Sequence, residues 1–153
     1  MVRIPQVNDL RDLYQQLILD HNQNPRNFGT LETATHSAKG HNPLCGDHLD
    51  LYIEIEDDAI KDVRFVGTGC AISKSSASIM TTVIKGKTIA EAKELFEKFQ
   101  HMATTGEIDS DALGKLAALA DVHKFPARVK CAMLAWRTLT AGLEPGSETT
   151  TTE

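Results

Sequence analysis

Residues 49–66, LDLYIEIEDDAIKDVRFV, decide the fold of this chain of 153 residues. In the first half of the stretch, leucine and isoleucine alternate with polar residues, which is the pattern of a β-strand with one buried face. Asp57 and Asp58 interrupt the alternation and indicate a tight turn, after which residues 60–66 return as a second strand. The stretch therefore predicts an antiparallel hairpin with one polar face.

The flanking segments extend this hairpin into a domain. Residues 36–42 have weak strand character and add a third strand, and an amphipathic helix capped by Asn8 precedes them. After residue 69 the pattern becomes helical, with helices predicted from Cys70, from the capping box at Thr88, from Asp111 and from Pro126. We therefore expect an α+β fold, in which about five helices pack mainly on one face of a three-stranded antiparallel sheet. The whole chain, 1–153, is predicted to be a single domain with residues 1–7 and 146–153 disordered.

Composition excludes several classes of function. The chain has 16 Lys and Arg against 21 Asp and Glu, a formal net charge of −5, so it lacks the basic excess of a nucleic-acid-binding protein. No stretch reaches the roughly 20 apolar residues of a membrane span. The first ten residues, MVRIPQVNDL, lack the apolar run of a secretory signal, so we expect a cytoplasmic protein with no nucleic-acid or membrane partner.

Three cysteines, Cys45, Cys70 and Cys131, are the candidate functional residues. In a reducing cytosol an odd number of cysteines indicates free thiols, metal ligands or nucleophiles, although each could simply be a small buried residue. Cys45 and Cys70 lie at the predicted ends of secondary-structure elements, where functional groups concentrate. Cys70 lies at a helix N-terminus, which favours the thiolate.

Cys131 lies on the last predicted helix. At about 100° per residue it falls opposite the apolar stripe of Val129, Met133 and Trp136, so it is a poor candidate for a core residue beneath that stripe. Arg128, three residues earlier, shares its face.

Asp47 follows Cys45 by two residues in the sequence Cys-Gly-Asp. Strand alternation places its carboxylate on the buried side, where an acidic group needs a partner. That partner is either a cation shared with Cys45 or a set of backbone hydrogen bonds in the loop. Three thiolates and a carboxylate are a donor set for zinc or an iron–sulfur cluster, although the sequence gaps match no zinc-finger spacing.

Four motifs carry a resemblance to a known family: DHNQNPRNFGTL (20–31), NPLCGD (42–47), GTGCAISKSSASIM (67–80) and RVKCAMLAW (128–136). Together they resemble the IscU/NifU-type iron–sulfur assembly proteins, from about residue 13 to residue 139. Within that family the chain is most similar to SufU-type members, because the long segment between Cys70 and Cys131 matches their extra helical segment. The resemblance implies the same α+β fold and a ligand set of Cys45, Asp47, Cys70 and Cys131.

The resemblance also implies a function. IscU proper carries a histidine immediately before its last cysteine and a proline-rich chaperone motif upstream of it, whereas this chain has Lys130 and the stretch KFPARVK. These departures favour a zinc-dependent sulfurtransferase that accepts persulfide sulfur from a cysteine desulfurase using pyridoxal phosphate, of the SufS type. Other SUF assembly components are further expected partners. The alternatives are a scaffold that assembles and releases a [2Fe–2S] cluster on the same ligands, and a structural zinc module serving as an adaptor.

Within the sulfurtransferase hypothesis, Cys45 is the predicted sulfur acceptor, because a loop gives it more freedom than helix-borne Cys131. Arg128 is a candidate for holding the persulfide anion or an acidic group of the partner, the alternative being a solvated helix arginine. The histidines that are ligands by type are expected to have surface or structural roles: His41, His48, His101 and His123.

Overall fold

The computed structural model describes residues 7–143 and 149–151, with side chains from residue 11 to residue 143. Five α-helices, a 3₁₀ segment and four strands follow one another along the chain. In order they are α1 (Val7–Gln23), β1 (His36–Asn42), β2 (Asp47–Glu56), β3 (Ala59–Thr68), α2 (Ala71–Ile84), α3 (Ile89–Thr105), α4 (Ser110–Leu113), the 3₁₀ segment (Gly114–Lys124), α5 (Pro126–Leu143) and β4 (Thr149–Thr151).

The predicted antiparallel hairpin is confirmed as β2 and β3. Asp57 and Asp58 form its turn with φ angles of 54° and 61°, the left-handed values that a two-residue turn between twisted strands requires. A register shift between Glu54 and Ile55 leaves Lys61 unpaired in a β-bulge. The bulge adds one residue between two inward-facing positions of β3. The buried residues Ile60, Val63 and Phe65 therefore lie on the same face, with two residues between the first pair and one residue between the second pair.

The sheet has one more strand than predicted. Its order is β3-β2-β1-β4, and β4 pairs in parallel with the outer edge of β1. Thr149–Thr151 therefore departs from the predicted disordered tail, because the edge of β1 offers unpaired backbone groups and threonine favours strands. The rest of that tail, 146–148 and 152–153, and residues 1–6 of the predicted loose arm lie outside the described residues. The prediction that Asn8 caps this helix is wrong, since α1 already begins at Val7 and Asn8 lies in its first turn.

Helices α2 and α5 cover the inner face of the sheet, as predicted, and α1 and α3 pack against these two helices. Helix α5 crosses β1 closely at Gly40, where a Cβ atom would collide with the hydroxyl of Thr138. Helix α2 is fastened to α5 by a hydrogen bond of 2.7 Å from the Ser76 hydroxyl to the carbonyl of Ala132. These contacts bring the beginning of α2 and the second turn of α5 to the same end of the sheet. None of the described helices is long and apolar enough to cross a membrane.

The predicted helix from Asp111 to Ala120 is wrong in type. A single α-helical turn ends at Gly114, which has a φ of 51°, and a 3₁₀ segment of 11 residues follows. With three residues per turn, a spacing of three places side chains above one another. Leu116, Leu119 and Val122 have that spacing and are all buried, so core packing favours the tighter helix.

Helix α1 is docked onto α2 by a buried histidine. His21 is 1% exposed, and its Nδ1 lies 2.7 Å from the hydroxyl of Ser78. The same hydroxyl accepts a hydrogen bond of 2.8 Å from the backbone N–H of Arg26. Burial lowers the pKa of His21 below its ordinary value of 6.5, and the positive charge of Arg26 lowers it further.

This histidine makes stability depend on pH. Because its folded-state pKa is depressed, the neutral ring stabilises the fold fully above the unfolded pKa, and that contribution is lost as the pH falls through the folded pKa. We expect the free energy of unfolding to drop between about pH 7.5 and pH 5 in the wild type, and to drop less in His21→Gln. Urea titrations at a series of pH values measure the free energy of unfolding of each protein. The slope of this free energy against pH is then compared between the wild type and His21→Gln.

Gln16→Ala is the control, because Gln16 is exposed on the same helix as His21 and carries no titratable group. That variant should keep the wild-type pH slope. An identical slope in His21→Gln and the wild type would contradict the assignment, since groups titrating elsewhere contribute equally to both proteins.

Candidate metal centre

Asp47 is the centre of the site. It is the first residue of β2 and its side chain is 0% exposed. Its Oδ1 accepts a hydrogen bond of 2.9 Å from the backbone N–H of Cys70, and its Oδ2 accepts one of 3.3 Å from the amide of Asn42. The inward direction predicted for this carboxylate is confirmed. Its hydrogen bonds connect the end of β1, the start of β2 and the N-terminus of α2.

Asn42 organises the site and was missed in the sequence. Its Oδ1 accepts from the backbone N–H of Leu44 at 3.3 Å, which shapes the loop that carries Cys45. Its Nδ2 lies 3.3 Å from Asp47 Oδ2 and 3.5 Å from the sulfur of Cys131. Every second residue of β1 from Ala38 faces inward, so the alternation rule applied to this strand would have placed Asn42 inside.

Cys70 is the N-cap of α2. Its Sγ accepts a hydrogen bond of 3.4 Å from the backbone N–H of Ser73, at the positive end of the helix dipole. Before it stands Gly69, where an added Cβ would lie 2.5 Å from Asp47 Oδ1. Only glycine leaves room there for the carboxylate. The GTG sequence thus allows a helix N-terminus to approach the start of a strand.

Cys45 and Cys131 meet across the site although 86 residues separate them. Cys45 is exposed in the loop between β1 and β2, and Cys131 is 2% exposed on α5. Their sulfurs lie 3.4 Å apart, far beyond the roughly 2.05 Å of a disulfide. Cys131 is therefore buried, and so is every residue from Cys131 to Trp136, so the prediction of a single apolar stripe opposite Cys131 is wrong.

The donor atoms of Cys45, Asp47 and Cys131 all lie within 4.8 Å of one another. The sulfur of Cys70 is not part of this group, although it lies 3.9 Å from Asp47 Oδ2. Two sulfurs on one tetrahedral zinc lie roughly 3.8 Å apart, because each Zn–S bond is about 2.3 Å long. The donors of Cys45, Asp47 and Cys131 are therefore close enough to share one metal ion, whereas the fourth predicted ligand, Cys70, lies outside that group.

The surroundings of Cys131 disfavour its thiolate as long as no positive charge lies nearby. Burial raises the pKa of its thiol far above the ordinary range, and the neighbouring thiols of Cys45 and Cys70 raise it further. A thiolate in this environment needs a positive partner. Metal binding releases the thiol protons and supplies that partner, so the cluster is suited to a metal ion.

The four histidines lie outside this donor set. The imidazole of His48 is exposed on the opposite face of β2 from Asp47, as predicted, and it stacks on His41. His101 contacts Glu107 at 2.8 Å, and His123 contacts the carbonyl of Ala120 at 2.8 Å. Each of these histidines thus contacts a group other than the thiols.

Arg128 is exposed on the first turn of α5, and its guanidinium lies 4.6 Å from the ring centre of Phe125. It borders a cavity of about 430 Å³ that Ile18, Ile72 and Leu119 also line and that contains none of the cysteines. It lies on the same helix as Cys131, three residues earlier, in contact with Phe125. A role for Arg128 in the chemistry stays a prediction.

The chain is similar to known proteins over almost its whole length. A family model described as the NifU-like N-terminal domain matches residues 13–143. The chain belongs to this family. The match includes β1, β2 and all three cysteines.

Individual relatives agree with the family match. The chain is 43% identical over 136 residues to a protein of Bacillus subtilis named zinc-dependent sulfurtransferase SufU, covering 88% of this chain and 92% of the relative. It is 38% identical over 132 residues to a Thermotoga maritima protein named iron–sulfur cluster assembly scaffold protein IscU, covering 86% and 93%.

A solved structure of the same type comes from Fervidobacterium islandicum, described as an iron–sulfur cluster assembly scaffold protein for the SUF system. It shares 37% identity and superposes with a TM-score of 0.81 over 88% of this chain and 98% of that chain. The predicted resemblance and the predicted α+β fold of the NifU-like domain are confirmed.

Replacing Asn42 by alanine tests its role in the site. The substitution removes the amide that holds Asp47 Oδ2 and contacts the Cys131 sulfur, so the donors lose their orientation. We expect the affinity for Co²⁺ or Zn²⁺ to fall about 10–100-fold, which is the usual effect of losing a partner of metal ligands. Competition with a chromogenic chelator measures this change.

Asn24→Ala is the matched control, because Asn24 also donates its amide to an aspartate, Asp20, but on the surface of α1. This variant should bind the metal as the wild type does. Equal affinities for all three proteins would show that Asn42 does not support the donors.

Proposed function

We propose that this protein is a zinc-dependent sulfurtransferase, which accepts persulfide sulfur from a cysteine desulfurase for the biogenesis of iron–sulfur clusters. One observation carries the proposal: the exposed thiol of Cys45 lies 3.4 Å from the buried thiol of Cys131, within a donor set suited to a metal. A purely structural site would be expected to bury all its ligands. Here one nucleophile is accessible to a partner.

The proposed ligands are Cys45, Asp47, Cys70 and Cys131, and zinc is the proposed metal. Sulfur-rich tetrahedral donor sets favour zinc, and the B. subtilis relative is named as zinc-dependent. When bound, zinc would supply a positive charge that keeps the thiols deprotonated and that joins three distant segments of the chain. The carboxylate of Asp47 is the only oxygen donor of the set.

The transfer step is a thiol–persulfide exchange. The thiolate of Cys45 attacks the terminal sulfur of the desulfurase persulfide, forming a new S–S bond while the old S–S bond breaks. The desulfurase cysteine leaves as a thiolate, and Cys45 becomes the persulfide, so no external oxidant or reductant is needed. Attack by the thiolate on an accessible sulfur requires that Cys45 reach the surface.

Exposure distinguishes Cys45 from the other two thiols. Its loop contains Gly46 with a φ of 70°, and its backbone is held by a hydrogen bond of 3.3 Å from the Cys45 N–H to the carbonyl of Asn42. Cys70 is fixed as a helix cap, and Cys131 is covered by the protein. Cys45 is therefore the proposed sulfur acceptor.

The proposed partner is a cysteine desulfurase that uses pyridoxal phosphate, of the SufS type, and the proposed setting is the cytoplasm. Leu44 is 63% exposed beside Cys45, which gives the loop an apolar contact for such a partner. Arg128 is the proposed contact for the persulfide anion or for an acidic group of the desulfurase. Further SUF components are proposed as the next acceptors of the sulfur.

A scaffold function is the second candidate, since the same donor set could hold a [2Fe–2S] cluster and the T. maritima relative is named as a scaffold. Anaerobic reconstitution with iron and sulfide distinguishes the two. A scaffold should hold a stable coloured cluster, whereas a sulfur acceptor should lose zinc only under forcing conditions. An adaptor without sulfur chemistry would stimulate the desulfurase without an acceptor thiol.

Metal content is the first expected result. Protein purified without added metal should contain about one zinc per chain, and the double variant Cys70→Ala/Cys131→Ala should contain little.

Removal of the metal with a strong chelator should lower the midpoint of thermal unfolding by about 5 °C or more, because the metal adds its binding free energy to the folded state. Elemental analysis and calorimetry measure both effects. A zinc-free wild type would contradict the metal assignment.

Replacement of Cys45 by serine tests the acceptor. The variant should no longer stimulate cysteine-dependent turnover of the desulfurase, because serine cannot form a persulfide. Mass spectrometry of the wild type after mixing with desulfurase and cysteine should find one added sulfur on the peptide containing Cys45. The matched control is Leu13→Ala, which shortens an exposed leucine on α1 but keeps the thiol of Cys45 and should still acquire the sulfur. Full stimulation by Cys45→Ser, or sulfur on Cys70 or Cys131, would refute the assignment.

A further inference from the structure

Two stacked imidazole rings lie on the outer face of the sheet. His41 of β1 and His48 of β2 stand directly opposite each other in the strand register. Their ring centres are 4.3 Å apart and their planes differ by 12°. The pair therefore places up to four ring nitrogens within a small volume on two adjacent, hydrogen-bonded strands.

This pair is separate from the thiol cluster. Asn42 and Asp47, the next register pair, are buried and face inward, whereas His48 is exposed and His41 is half-buried. Successive side chains of a strand point to opposite faces of the sheet. The backbone of the two strands thus lies between the imidazoles and the donors of the inner site.

The chemistry of the pair is that of a metal chelate. Neutral imidazole is a preferred ligand of Zn²⁺, Ni²⁺ and Cu²⁺. Two nitrogens on one ion lie roughly 3 Å apart, because each metal–nitrogen bond is about 2.0–2.1 Å long. The torsion that turns a histidine ring is soft, so a small rotation of each ring from the stacked position can direct two nitrogens to one ion.

The surroundings of the pair are polar and open. Asp50 is the next residue of β2 on this face and supplies a negative charge, and Lys39 of β1 stands opposite it in the register. Directly opposite side chains have Cβ atoms about 4.5–5.5 Å apart, so the sheet fixes the spacing of the two imidazoles. When an ion binds, the two imidazole rings therefore lose only their rotational freedom.

We propose that His41 and His48 form a second metal site, which binds one divalent ion of the imidazole-favouring class, such as Ni²⁺, Cu²⁺ or Zn²⁺, on the outer face of the sheet. Water completes the coordination sphere, so the ion at this site remains exchangeable. The site does not depend on the thiols of the inner cluster or on sulfur transfer.

Nickel titration of the purified protein tests the site. Isothermal calorimetry with Ni²⁺ should detect about one ion per chain, while a chromogenic chelator monitors any zinc released from the thiol cluster. His41→Gln and His48→Gln should each weaken nickel binding about a hundredfold, because the second ligand of a preformed pair acts at a high effective concentration. The Cu²⁺ complex should show an electron paramagnetic resonance pattern from two nitrogen ligands.

His36→Gln is the matched control, because His36 lies on the same strand but stands opposite Ile53 in the register and contacts Thr35. It should bind nickel as the wild type does. The double variant Cys45→Ser/Cys131→Ser should also keep the nickel site, which separates this proposal from the proposed function. Unchanged nickel affinity in His41→Gln and His48→Gln, or nickel uptake matched by release of an equal amount of zinc, would overturn the proposal.

Discussion

The site depends on the hydrogen bonds that the buried carboxylate of Asp47 accepts. A charge removed from water is costly unless hydrogen bonds or an opposite charge compensate it. Asp47 receives one hydrogen bond from the backbone of Cys70 and one from the amide of Asn42. Both donors belong to other parts of the chain, so satisfying this one carboxylate fixes the start of α2 against the ends of β1 and β2.

The three cysteines have three different environments around that carboxylate. Cys45 is exposed in a loop, Cys70 is half-buried at a helix N-terminus, and Cys131 is enclosed on α5. The sulfur of Cys70 accepts a hydrogen bond from the backbone of Ser73, whereas burial raises the pKa of the Cys131 thiol and opposes its thiolate. A bound metal would compensate for the second effect, and it would leave exposed Cys45 as the proposed ligand that a partner can approach. This asymmetry is consistent with the proposed sulfur transfer.

Much of this arrangement could be predicted from local patterns. Alternation of residues identified β2 and the inward direction of Asp47, whereas the helical angle of Cys131 predicted an apolar stripe that α5, which is buried on all sides from Cys131 to Trp136, does not have. The meeting of Cys45 and Cys131 across 86 residues could not be predicted from spacing and depended on family resemblance. The 3₁₀ segment and β4 escaped prediction because tertiary packing and a free strand edge decide them, and local propensity does not.

The register of β2 connects the hairpin with both faces of the sheet. A slip by one residue would exchange its two faces, sending Asp47 into solvent and His48 into the core. The turn at Asp57 and Asp58 sets the first pairs, and the bulge at Lys61 shifts the remainder by one residue. Leu51 then pairs with Phe65, and both are buried. The burial of this pair opposes any slip, so the apolar core of the hairpin also determines which donors face the thiols and which face water.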